Sequence, residues 1–251
     1  MTAFHRVATC AVGLVAAAFS PCALAAPATL LREAYPVAQL KERPGAPLTG
    51  RYQMDDGGSF VLDRSTPKPL MKFDDDLEIW ALQPAPGPRG DTIYRNDTGE
   101  PMLRATRIGG MTVFTPKRPE GSAAALNGGA PPLRLTPMSP QALFRVFYQA
   151  SLRASRAAGR QIAFETKQDA DPSSAAYLAD AAQVASEALV DVAATPGGKA
   201  ALSHISGVVF AQGGKGGVAI QKGVITVTIS IAQGIFGRPS SHRIERAAWG
   251  K

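Results

Sequence analysis

"VVFAQGGKGGVAI", residues 208–220, is the stretch on which the fold turns. If its glycines open a helix around a phosphate, the second half of the chain is a nucleotide-binding α/β unit. If they only redirect the chain, that half is a small sheet beside helices. A phosphate loop requires G-x-x-x-x-G-K-[ST], and the deviant form beginning KGGV requires Gly-Lys-Thr or its like to follow. Here Ala219-Ile220-Gln221 follows, so the phosphate lysine and the magnesium-binding hydroxyl are both missing. Downstream, Ile225, Val227, Ile229 and Ile231 alternate with Thr226, Thr228 and Ser230, the period of a strand with one dry face. Lys222-Gly223 reads as a hairpin turn, and Gly213–Gly217 as the join from one strand to the next. The loop is a turn, and a nucleotide is excluded as a partner.

Upstream of it the period changes. Ser139-Pro140 sets a capping hydroxyl before a first-turn proline and opens PQALFRVFYQASLRASRAAG, expected to bury Leu143, Phe144, Phe147 and Leu152 and to stop at Gly159. "RQIAFETK" reads as a strand. Asp171-Pro172 repeats the start signal for SSAAYLADAAQVASEALVDVAA, where Tyr177, Leu178, Ala181, Val184, Ala185, Ala188, Leu189 and Val192 share an apolar face. Asp180, Gln183, Glu187 and Asp191 form the polar face. Thr195-Pro196-Gly197-Gly198 stops that helix, and a short one is expected over Lys199–His204.

Between Arg51 and Thr115, short β-favouring runs such as "SFVLDRS", "LEIWALQ" and "MTVFTP" are separated by Asp55-Asp56-Gly57-Gly58, Asp75-Asp76 and Asp97-Thr98-Gly99-Glu100. This pattern predicts an antiparallel meander, with Ile108-Gly109-Gly110-Met111 as a tight hairpin. The expected organisation is a signal peptide at 1–25, an extended proline-punctuated lead-in at 26–50, a β-rich part at 51–115, a Pro/Gly/Ala linker at 116–138 and an α+β part at 139–251. The fold class is α+β: an N-terminal antiparallel β meander, then two main helices with a small antiparallel sheet.

The leader reading rests on Arg6, an apolar run from Val7 to Phe19, and Ala23-Leu24-Ala25 at the positions a signal peptidase reads. The run is shorter than the roughly 20 residues a membrane-spanning helix needs. Cleavage near Ala25 leaves a periplasmic or secreted chain with no transmembrane segment. It also removes Cys10 and Cys22, and with them any disulfide or thiolate chemistry. Phe19-Ser20-Pro21 before Cys22 does not fit a lipid-attachment site. The full chain carries a formal charge of +7, with +1 over residues 26–136 and +5 over 137–251. That basic excess suits anionic envelope components as partners.

Several motifs offer chemistry and fall short of it. Asp97-Thr98-Gly99 is an aspartic-protease triplet, but such sites pair two carboxylates and no second triplet exists. Ser65-Thr66-Pro67-Lys68 matches S-x-x-K without its companion motifs. Asp74-Asp75-Asp76 with Glu78 lacks the spacing of an EF-hand loop and reads as a solvated turn. His204 and His242 are too few for a histidine zinc site. No metal set and no cofactor pattern emerges. Arg145, Arg153, Arg156 and Arg160, in step with Gln149, share one helix face and are the candidate surface for an anionic partner. The stretch from Arg238 to His242 is expected to gather Ser240, Ser241 and His242 on a loop.

The block FVLDRS…KFDDDLEIWAL…GDTIYRNDTGEPMLRATRIGGMTVFTP, with the late FGRPSS, resembles an uncharacterised family of exported bacterial proteins, a domain of unknown function. The resemblance spans most of the chain after its leader and implies no activity. The leading functional expectation is a non-catalytic envelope binding or assembly protein. The rival is a periplasmic hydrolase, aspartic-type through Asp97 or serine-type through Ser240 and His242.

Overall fold

In a computed structural model of the chain, residues 46–66, 68–167 and 170–250 are described. The leader and nearly all of the lead-in lie outside them. Strands β1 (Gly50–Met54), β2 (Ser59–Asp63), β3 (Leu70–Phe73) and β4 (Trp80–Ala81) run as the expected meander, each antiparallel to the next. β5 (Gln83–Pro86), β6 (Thr92–Arg95), β7 (Pro101–Ala105), β8 (Met111–Thr115) and β9 (Arg118–Gly128) continue it. The sheet order is β4-β3-β2-β1-β9-β8-β7-β6-β5.

The two ends of that order, β4 and β5, are separated in the chain by Leu82 alone. Leu82 N–H still donates to Pro69 O at 2.9 Å on the β3 side, while Gln83 already pairs with Arg95 of β6. One bent strand therefore serves both edges, and the sheet closes on itself as a small up-and-down barrel. Closure leaves only the short edges of β4 and β5 in place of two full-length ones. Alternation then fills the interior: Tyr52 and Met54, Phe60 and Leu62, and Met71 and Phe73 point inward, with the Tyr52 and Phe60 rings stacked at 5.2 Å.

The 116–138 segment, expected as a linker, is half strand. β9 pairs with β8 on one side and β1 on the other, so it is the closing stave of the barrel. Its alanines and glycines carry little intrinsic strand preference, and the two neighbours impose the conformation. Gly121 has φ 95°, and a Cβ there would lie 2.4 Å from Thr112 Cγ2. The Gly109 hairpin forms as expected, closed by Thr106 N–H to Gly110 O at 2.8 Å.

The second part begins with α1 (Pro140–Ala158), capped by the Ser139 hydroxyl on Ala142 N–H and ended by Gly159 at φ 69°. Phe144 corrects the sequence reading: it points to solvent, and Leu143, Phe147, Ala150, Ala154 and Ala158 make the buried stripe. After β10 (Ala163–Thr166) comes α2 (Pro172–Ala194), whose cap Asp171 accepts from Ser173 and Ser174 N–H. α2 is buried on nearly every side, and its alanines let α1 approach closely enough for Ser186 Oγ to donate to Ala150 O at 3.1 Å. α3 (Gly198–Ala201) and a 3-10 turn at Leu202–His204 fill the short helix expected there.

The small sheet of β10, β11 (Gly207–Gln212), β12 (Gly217–Gln221) and β13 (Val224–Ile229) is mixed, where an antiparallel one was expected. Its order is β10-β11-β13-β12, with β10–β11 and β11–β13 parallel. The Lys222-Gly223 hairpin does pair β12 with β13 antiparallel, but β13 folds into the gap between β11 and β12. The glycine loop therefore crosses over a strand position without pairing its two flanking strands. Its glycines serve close approach: a Cβ on Gly216 would lie 2.4 Å from Gly237 O. No helix opens there. The chain ends in α4 (Ser241–Ala248), capped by Ser240, where a loop was expected. All described residues lie in one compact unit, Ala38–Lys251.

Candidate ligand cleft

Among the contacts that join the barrel to the helical layer, one centres on a buried cation. Arg238, with its side chain 2% exposed, donates from Nη1 to Glu78 Oε1 at 2.9 Å and from Nη2 to Ile79 O at 2.8 Å, both in the β3–β4 connection. Its Nε lies 2.5 Å from Asp180 Oδ2 on α2. Burial raises the pKa values of Glu78 and Asp180, and Arg238 offsets only part of that rise. Burial alone would lower the guanidinium pKa, but the two carboxylates overcome it and hold it above its ordinary value. Ser241 N–H also points at Glu78, at 3.3 Å from each carboxylate oxygen, which fixes the start of α4 against the barrel.

That joint holds open a cleft of about 810 Å3. The ends of β1, β3 and β8 and the starts of β2, β4, β7 and β9 all fall at one end of the barrel, and this mouth forms one wall through Met54, Phe73, Trp80 and Phe114. The C-terminal half of α2 and α4 form the other, through Glu187, Asp191, His242, Glu245 and Trp249. Both tryptophans of the chain, Trp80 and Trp249, line it. Trp80 is fixed by Nε1 donating to Asp76 Oδ2 at 3.1 Å and by an edge contact with the His242 ring at 4.9 Å.

The cleft inverts the sign of the chain. Seven carboxylates line it, against Lys117, Arg118 and His242. Burial raises the Asp191 pKa, and repulsion from Glu187 and Asp76 adds to the rise. Glu245 is likewise raised, by burial first; His242 opposes this, while Asp191, Glu78 and Glu100 reinforce it. Glu100 behaves differently. Burial pushes it up, but hydrogen bonds with His242 and Asn96 outweigh that and hold it low. Its Oε2 lies 2.5 Å from His242 Nδ1, and its Oε1 accepts from Arg246 at 3.0 Å. His242 is thereby locked against the cleft wall.

The fold does gather Asp97, Ser240 and His242 in one neighbourhood, and each is engaged. Asp97 Oδ2 accepts from Ser240 N–H at 3.2 Å. Ser240 Oγ accepts from Arg243 N–H at 3.2 Å as the cap of α4, and His242 Nδ1 is directed at Glu100. Asp74 accepts from Arg51 and Ser59, Asp76 from Trp80, and Lys68 sits 5.0 Å over the Phe236 ring. Among the described residues no group of three or more His, Cys, Asp or Glu is arranged to hold a metal. Of the arginine face, Arg145, Arg156 and Arg160 are exposed, whereas Arg153 turns to an ion pair with Glu187 at the cleft rim.

The sequence reading named Asp75, Asp76, Glu78 and His242 without joining them into a cleft, and a further signal lay in α2. Asp180, Glu187 and Asp191 were legible as a polar stripe, and only the tertiary fold turns that stripe toward the barrel. A family model described as a domain of unknown function, DUF4908, matches residues 30–248. The chain belongs to that family. The match runs from the lead-in to the end of α4, so the barrel, the joint at Arg238 and both walls of the cleft are family territory. No curated protein and no solved structure matches the chain.

Proposed function

We propose that this is a non-catalytic binding protein of the cell envelope whose ligand presents a positive charge on an apolar body, held in the cleft at the barrel mouth. The observation that carries the reading is the sign inversion: a chain of formal charge +7 concentrates seven carboxylates around an aromatic-walled hollow. Barrel mouths are common ligand sites. Carboxylates crowded enough to raise one another's pKa values are stabilised by an incoming cation, and aromatic faces add a further attraction for it. Envelope residence is supported by the leader at 1–25. An intact mass beginning at Ala26 is the expected outcome for the exported chain. Recovery of the full-length mass from the cytosol would sink that part of the reading.

The cleft itself is tested by tryptophan emission, since both tryptophans report on it. Titration with phenethylamine at pH 7 gives a saturable change, and 3-phenylpropionate, of similar shape and opposite charge, gives none. The Asp191→Asn, Glu245→Gln double variant weakens the amine about tenfold, a loss of roughly 1.4 kcal/mol. An equal response to the carboxylate, or an unchanged response in the double variant, overturns a cation-selective cleft.

A further inference from the structure

α1 has a second face that the fold leaves uncovered. The helix contains Arg145, Arg153 and Arg156 and no Asp or Glu. One side is sealed against the core by Leu143, Phe147, Ala150, Ala154 and Ala158. At 3.6 residues per turn, Phe144, Tyr148 and the half-buried Leu152 form a ridge roughly 120° round the helix from that stripe, with Arg145 and Arg156 along its far flank. Phe144 is 74% exposed and Tyr148 60%, the most exposed large aromatic side chains among the described residues. Arg160, past the Gly159 stop, extends the basic flank. Arg153 does not belong to it, because it turns to Glu187.

Two bare aromatic rings one turn apart, beside unpaired cations on an acid-free helix, make an amphipathic surface of the interfacial kind. The rings suit the boundary between headgroups and acyl chains, and the guanidiniums suit the phosphates above it. The charge fixes the sign of the partner: nothing on this helix repels an anionic sheet, and no carboxylate on it competes for the arginines. A leader that exports the chain brings it to such a surface and away from nucleic acid.

We propose that the Phe144–Tyr148–Arg145–Arg156 face of α1 docks on an anionic lipid bilayer. This rests on the face of α1 and on the envelope residence proposed above, and it stands or falls apart from the cleft. The test is co-sedimentation of the chain from Ala26 onward with vesicles of phosphatidylcholine, with and without phosphatidylglycerol. Binding is expected only with phosphatidylglycerol, and it weakens with added salt. Each basic residue near such a surface contributes about fivefold, so the Arg145→Gln, Arg156→Gln pair lowers binding about 25-fold. The Phe144→Ala, Tyr148→Ala pair lowers it by a factor that added salt does not change. Since all four side chains are clear of the core, thermal melts of the variants match the parent. Equal binding to both vesicle types overturns the proposal, as does undiminished binding in the arginine pair. Indifference to vesicles combined with concentration-dependent dimerisation or nucleic-acid binding that these substitutions abolish also overturns it, and assigns the face to that partner instead.

Discussion

α1 and α2 open with the same local device, a capping side chain followed by proline, and each carries a polar stripe at roughly four-residue spacing. On α1 the stripe runs through Arg145, Gln149, Arg153 and Arg156, and most of it stays in solvent. On α2 it runs through Asp180, Glu187 and Asp191 and turns inward: Asp180 is buried against Arg238, and Glu187 and Asp191 line the cleft. A polar stripe thus marks a face that needs polar company, but whether water or protein supplies it depends on what packs on the other side of the helix. α1 has the core on one side only. α2 lies between α1, the mixed sheet, α4 and the barrel mouth, so it has little solvent to turn to.

The comparison breaks most visibly at the buried end of the α2 stripe. Arg238→Met strands Glu78 and Asp180 as carboxylates sealed from water with no cation between them. Removing one partner of a buried ion pair costs about 3–5 kcal/mol. Urea unfolding of this variant is expected to show a loss of that size, against a change within about 0.5 kcal/mol for Arg156→Met on the exposed stripe. A loss below about 1 kcal/mol for Arg238→Met would mean that apolar packing and the Glu100 contacts with His242 and Arg246 hold the barrel to the helices without it.

The same contrast explains what was legible in the sequence. Ser139-Pro140 and Asp171-Pro172 placed both helix starts because a cap acts within one turn. The strands from β1 to β8, β5 with its two prolines excepted, were legible because the turn residues between them act locally too. β9 was hidden in an alanine- and glycine-rich run, since what makes it a strand is two neighbours distant in sequence. The order of the small sheet was hidden for the same reason: Lys222-Gly223 specifies a hairpin but not which side of β11 it docks on. α4 opens at Ser241, and its capping Ser240 was read as a loop residue. The stripe on α2 was legible as polar but its burial was not, because Arg238, which answers Asp180, lies 58 residues further along the chain.

The smallest effect tests the open end of the stripe, at Asp191. Its pKa is raised in the folded chain, so folding favours the protonated carboxyl. The stability tied to that preference is complete below the unfolded value, about 3.9 for aspartate, and is lost as pH rises through the folded value. At pH 7, far above the unfolded value, that raised pKa is a cost of folding that the unfolded chain does not bear. Asp191→Asn removes the cost, and since the carboxyl, although crowded by the cleft wall, keeps access to solvent, the gain is expected to stay below about 0.5 kcal/mol. Denaturant midpoints should be higher for the variant at pH 7, and the difference should close as pH falls toward 4. Arg156→Gln on α1 should show no such convergence, because that arginine has no carboxylate near it to titrate on its own helix. If Asp191→Asn lowers stability at pH 7, or its effect is flat with pH, the α2 stripe is not held among like charges, and the case for a cation-seeking cleft weakens with it. A gain that disappears when phenethylamine saturates the parent chain would tie the same repulsion directly to the ligand that relieves it.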